Sequence, residues 1–216
     1  MTPRFGLKAL LAALLTGLSA PALAHPHITV MATAEIVYEP GGKVMGIRHV
    51  WAFDQFYSAY ITQGLDTDGN GTITSEEMKD LAKENTESLV EFDYFTVLKA
   101  NGKKQDFGAP KDYSMSYANE MVTLTYLLPL KSATDAKTLS FEVYDPSFFV
   151  AFTVADEEGS VKTVNAPQGC KVNVFSDYKP ADPSQSGGMA DGPFRNPASD
   201  AMPTTQLSSK AIIACP

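Results

Sequence analysis

Basic residues, histidine, cysteine and enzyme signatures are all in short supply in this sequence. The 17 Lys and Arg stand against 25 Asp and Glu, a formal charge of −8. Nucleic acid and anionic membrane surfaces are poor partners for such a chain, and cations are good ones. There is no Gly-x-Ser-x-Gly elbow, no His-Glu-x-x-His pair and no phosphate-cradling glycine loop, which removes the usual machinery of hydrolysis and phosphoryl transfer. No enzymatic activity is expected; a copper clamp at the mature terminus is the one redox chemistry left open. Beyond residue 24 no apolar run approaches the roughly 18 residues that a membrane-crossing helix needs, and the mature chain is expected to be soluble.

Residues 1–24 carry Arg4 and Lys8, an apolar run from Ala9 to Leu18 and the small-residue ending Ala22-Leu23-Ala24. This is the pattern of a cleavable secretory signal peptide, which in a bacterium places the mature chain in the periplasm. Loss of Arg4 and Lys8 leaves 15 basic against 25 acidic residues, a charge of about −10. Cleavage after Ala24 would leave His25 as the first residue, followed by Pro26 and His27. A terminal amine with its own imidazole can chelate a borderline divalent metal such as nickel, cobalt, zinc or copper, and His27 offers another nitrogen. Pro26 has no amide hydrogen, so a square-planar site that needs that amide deprotonated is excluded. The alternative is that a polar pair simply begins the mature chain.

The most specific stretch is Asp66 to Glu77. It reads as a complete EF-hand calcium loop: Asp66, Asp68 and Asn70 at positions 1, 3 and 5, Gly71 at the sharp turn, the Thr72 carbonyl at position 7 and Glu77 at position 12. Thr74 at position 9 would act through a water. A large hard cation wants six to eight oxygens, and a short loop supplies them only by wrapping once around the ion. Asp54 can cap an entering helix containing Phe56, Tyr57, Tyr60 and Ile61, while Thr74 and Glu77 have capping-box spacing for a second helix carrying Met78, Leu81, Ala82, Asn85 and Leu89. The competing reading is an acidic turn that imitates the motif. No second loop is visible, so Ile73 must pack on the host domain or face solvent.

The rest of the chain alternates as strands do. Ile28 to Tyr38 and Lys43 to Phe53 flank the turn Glu39-Pro40-Gly41-Gly42 as a long hairpin. His49 shares a face with Ile47, Trp51 and Phe53 and so reads as a partly buried histidine, with a ligand role as the alternative. Strands are expected at 94–99, 104–107, 113–117, 121–128, 138–144, 148–155, 161–164 and 170–175. The expected fold class is therefore mainly β (α+β): a β-sandwich-like domain over 25–175, with an inserted helix-loop-helix EF-hand at 54–90. Phe148, Phe149 and Phe152 read as strand aromatics of the core rather than a ligand box. A linker rich in Pro, Ser, Asp, Gly and Ala spans 176–209, and a short apolar segment closes the chain at 210–216. Cys170 and Cys215 suit an oxidising compartment, where a bond between them would clip that segment to the sheet; two free thiols or a Cys-His metal site are the alternatives.

Several of these segments together resemble a known family. The mature start His25-Pro26-His27, the run Trp51 to Ser58, the EF-type loop, Phe92-Asp93-Tyr94-Phe95-Thr96, Phe107-Gly108, Tyr144 to Phe152 and the terminal cysteine are similar to the bacterial domain of unknown function 1007. The resemblance implies a periplasmic component of an ABC-type transport system, often encoded beside nickel/cobalt permeases of the exporter type. It does not imply a reaction. The chain lacks the two large α/β lobes of a periplasmic solute-binding protein. The expected function is a calcium-binding, non-enzymatic accessory to transition-metal transport, with an inner-membrane metal permease as partner. The alternative is a calcium-ordered scaffold for a membrane transporter that binds no transition metal itself.

Overall fold

A computed structural model describes residues 27–154, 159–175 and 209–216. The expected signal peptide at 1–24, His25 and all but the last residue of the expected linker lie outside the described residues.

Two sheets face one another. In the first, β1 (Ile28–Tyr38) and β2 (Val44–Phe53) form the expected hairpin, and β5 (Lys111–Ala118) with β6 (Met121–Thr134) extends it beyond β2. The other edge of β1 carries two short parallel strands, β8 (Val150–Thr153) beside Ile28 to Met31 and β9 (Val161–Val164) beside Ala34 to Val37. The second sheet runs β10 (Lys171–Phe175), β11 (Ser209–Ala214), β7 (Thr138–Val143), β3 (Thr96–Ala100) and β4 (Lys103–Lys104). The architecture is β-sandwich-like, as the alternating pattern implies.

Period-two alternation decides which faces meet. Val30, Ala32, Ala34, Ile36 and Tyr38 of β1 and Ile47, His49, Trp51 and Phe53 of β2 point inward, opposite Leu98, Leu139, Phe141, Val143, Ala211 and Ile213 of the second sheet. The His49 and Phe141 ring centroids lie 5.8 Å apart across the interface. Each large side chain buried there contributes about 1.5–3 kcal/mol relative to exposure. Turn chemistry fixes the register at two hairpins: Asn101-Gly102 and Asn119-Glu120 both have positive φ at their two central positions, the backbone twist that short hairpins favour.

The helical unit sits between β2 and β3 in sequence. Helix α1 (Gln55–Ile61) is capped by Asp54, whose Oδ1 accepts from the Tyr57 amide at 2.9 Å; its Oδ2 accepts from the Thr29 amide at 2.7 Å, tying the helix start to β1. The buried Ser58 hydroxyl accepts from the Val122 amide at 2.9 Å and so anchors the helix to β6. Helix α2 (Lys79–Ser88) buries Ala82 and Thr86, with Met78 before it and Leu89 after it, and packs on β5. A 3-10 segment, Leu89–Phe95, follows, and within it Asp93, Tyr94 and Phe95 have φ of 52°, 57° and 50°. Left-handed backbone costs roughly 1–2 kcal/mol per non-glycine residue, so tertiary packing overrides the strand expected from residue 94. The strand expected from residue 148 also starts late, because Phe148 turns with φ of 60° and β8 begins at Val150.

The terminal segment is an interior strand. β11 pairs antiparallel with both β10 and β7, and the Cys170–Cys215 disulfide closes it with an S–S distance of 2.04 Å. The alternatives of free thiols or a Cys-His site are set aside by that bond.

Candidate metal centre

The loop from 66 to 77 joins α1 to α2. Two glycines let the backbone wrap: Gly69 has φ of 70° and Gly71 of 80°, with open space around both. The wrap turns amide hydrogens inward toward the loop's own side chains. Asn70 N donates to Asp66 Oδ1 at 3.0 Å and to Asp68 Oδ1 at 3.1 Å, and Gly71 N donates to Asp66 Oδ2 at 2.9 Å. The Asn70 side-chain amide donates to Asp68 Oδ2 at 2.7 Å, and its Oδ1 accepts from Thr72 N at 2.7 Å.

Glu77 closes the ring. Its Oε1 accepts from the Thr67 amide at 2.8 Å and the Thr67 hydroxyl at 3.0 Å, and its Oε2 accepts from the Thr74 amide and hydroxyl, both at 2.9 Å. The Glu77 amide reaches back to Thr74 Oγ1 at 3.3 Å, completing the capping box, although regular helix begins only at Lys79. Hydrogen bonds from the Thr74 amide, the Thr67 amide and the Thr74 hydroxyl pull the Glu77 carboxyl down to about 2. It is therefore a carboxylate throughout the physiological range.

Asp66, Asp68 and Glu77 each offer one oxygen, and those oxygens all lie within 4.8 Å of one another. At that spacing two like charges repel by roughly 1 kcal/mol per pair even in water. None of the ion pairs among the described residues uses any of the three. Three carboxylates gathered in one short loop offer oxygen donors, which suit a hard cation better than a soft one. Ile73 is half-buried and packs against the core together with Leu65, so the loop leans on the host domain.

The two described histidines, His27 and His49, join neither this cluster nor each other. His27 donates its amide to the Phe149 carbonyl at 2.9 Å, with its ring 4.9 Å from the Phe149 ring. His49 is fully buried, and burial pushes it down to about 3. Its Nε2 lies 3.4 Å from Thr96 Oγ1, and its ring stacks on Tyr126 at 4.9 Å. In the hairpin His49 pairs with Ala34, seven positions along β1 from His27 and so roughly 23 Å away at the rise of an extended strand. One ion cannot bridge the two.

A mainly β protein of two facing sheets, with a disulfide-closed terminal strand and a carboxylate-lined loop between two short helices, is the class that fold and site define. The chain belongs to the family described as Protein of unknown function (DUF1007), whose model matches residues 10–215. A stretch of 85 residues is 35% identical to an uncharacterized 15.5 kDa protein in the trpE 3' region of Spirochaeta aurantia, covering 39% of this chain and 61% of that protein. Among the described residues no helix is long and apolar enough to cross a membrane.

Proposed function

We propose that this protein is a periplasmic, calcium-binding, non-enzymatic accessory to a transition-metal transport system of the nickel/cobalt type. The observation that carries the calcium part is the convergence of Asp66, Asp68 and Glu77 within 4.8 Å, without a salt bridge among the described residues, inside a loop of EF-hand spacing. Calcium would be held by these carboxylates with Asn70 and the Thr72 carbonyl, and it would fix the loop that joins α1 to α2. The transport part rests on the resemblance, the acidic surface and the terminal His25 and His27.

Calorimetry tests both parts. Glu77→Gln removes a bidentate ligand and is expected to weaken calcium binding by at least about tenfold; unchanged affinity rejects the EF-hand assignment. Nickel, cobalt, zinc and copper titrated into calcium-loaded protein beginning at His25 are expected to bind at micromolar strength or tighter, and the His25→Ala/His27→Ala double variant to lose that binding. No binding by either protein leaves the second reading, a calcium-ordered scaffold for a membrane transporter. That reading draws on Phe56 and Tyr60, which are 73% and 71% exposed one turn apart on α1.

A further inference from the structure

A cavity of about 390 Å³ lies between the helical unit and the first sheet. Trp51 and Phe152, each 2% exposed, form its floor, with ring centroids 4.9 Å apart. Phe95 stands 5.3 Å from Phe152, and Phe92 stacks on Phe95 at 5.1 Å and 12°. At the mouth Phe92 is 53% exposed and Phe149 46% exposed. A volume near the lower end of the roughly 300–1,000 Å³ range of small-molecule pockets, with seven aromatic side chains among its walls, is suited to a compact apolar ligand.

Most polar groups on the walls are committed to the protein; the Trp51 Nε1 donor on the floor is an exception, buried without a hydrogen-bond partner among the described residues. Asn85 Nδ2 donates to the Leu81 carbonyl at 2.9 Å and Ser88 Oγ to the Asn85 carbonyl at 2.9 Å. The Asp145 carboxylate accepts from the Ser147 amide at 2.8 Å, the Ser147 hydroxyl at 2.7 Å and the Val150 amide at 2.9 Å. The walls carry the Asp145 carboxylate and no basic side chain, so an anionic ligand would be desolvated here without a counter-charge, a cost that a neutral one avoids.

Two further observations converge on the same place. Non-glycine left-handed backbone at Asp93 to Phe95 and at Phe148 adjoins the lining residues Phe92, Phe95 and Phe149, and such conformations persist where the surrounding structure enforces them. Three stretches remote in sequence, 51–57, 92–95 and 145–152, all supply walls. The metal-binding reading uses none of these residues.

We propose that this cavity binds a small neutral aromatic molecule among Trp51, Phe95 and Phe149. The proposal is independent of the calcium and transition-metal readings. Trp51 is the sole tryptophan, so its emission reports occupancy directly. N-phenyl-1-naphthylamine, a neutral naphthalene probe, is titrated into the mature chain while Trp51 quenching by energy transfer and probe emission are read together. One saturable site with a Kd on the order of micromolar is expected. Phe149→Ala and Phe92→Ala, both at half-exposed positions, are each expected to weaken binding at least about tenfold without moving the thermal midpoint. The anionic analogue 1-anilinonaphthalene-8-sulfonate is expected to bind at least about tenfold more weakly than the neutral probe. Absence of saturable binding, equal affinity in both variants, or equal affinity for the two probes overturns the proposal. So does a concentration-dependent dimer that Phe149→Ala dissociates, which would assign the mouth to a second copy of the chain.

Discussion

His49 shows how much one side chain can carry. Its neighbours Ile47, Trp51 and Phe53 alternate along β2, and that pattern alone places it inward. Its Nδ1, with Trp51 Nε1 and the Tyr126 hydroxyl, is buried without a hydrogen-bond partner among the described residues. Each such atom costs about 1–3 kcal/mol. The rings packed on His49 are Trp51, Tyr126 and Phe141, of which only Tyr126 titrates, and burial raises it well above its ordinary value. In the unfolded chain His49 takes up a proton below about 6.5, whereas in the fold it resists until about 3. The unfolded state therefore binds more protons in that window. Stability is full above about 6.5 and falls as pH drops toward 3, by about 1.4 kcal/mol per pH unit. His49→Phe should flatten this dependence. Urea unfolding at pH 7 and pH 5 is expected to show a loss larger in the parent than in the variant by roughly 2 kcal/mol; equal losses would mean that His49 is not held neutral.

The glycine positions are less legible at this scale. Gly46 reads as an ordinary strand residue, yet a Cβ there would meet the Leu128 carbonyl oxygen at 2.6 Å and Pro129 Cα at 2.9 Å. Only the pairing of β2 with β6 reveals that close approach. Gly46→Ala is expected to cost about 1–3 kcal/mol by overpacking, measurable in the same unfolding assay.

Among the elements, those with a local cause are the ones the sequence discloses. The β1–β2 hairpin follows from alternation on either side of Pro40-Gly41-Gly42, α1 from the Asp54 cap, and the loop from its ligand spacing. Pairings with no local cause are not disclosed. The short strands β8 and β9 lie parallel to β1, which depends on long connections, and β11 sits between β10 and β7 rather than at an edge. The turn that carries Phe148 and Phe149 departs from the expected continuous strand because Asp145 gathers the amides of Ser147 and Val150 around its carboxylate. That turn leaves Phe148 45% and Phe149 46% exposed, while Phe152 alone of the three joins the core.

The interior position of β11 raises the consequence of its disulfide. The bond closes a loop of 45 residues, and the chain-entropy estimate for such a loop is roughly 4 kcal/mol. Replacing both Cys170 and Cys215 by serine is expected to lower stability by about 2–5 kcal/mol, read as a lower urea midpoint. An unchanged midpoint would show that the hydrogen bonds to β7 and β10 hold the strand alone.

Across the whole molecule, the two sheets form the frame and the acidic loop carries concentrated like charge, since Asp66, Asp68 and Glu77 meet and none of the ion pairs among the described residues uses them. Helix α2 starts just after Glu77 and ends beside Ser88 and Leu89 on the cavity wall. The loop and the cavity are thus joined by one helix of ten residues. The carboxylates and glycines of the loop are legible because they lie within a few residues of one another. The cavity is not, because its walls come from segments that only folding brings together.

The most direct test of the account is a calcium titration of metal-free mature protein followed residue by residue through amide NMR. Saturable shifts centred on Asp66 to Glu77 and fading along α2, and absent in Glu77→Gln, are the predicted result. Amides of the loop that stay fixed while calcium is raised to millimolar levels would contradict it.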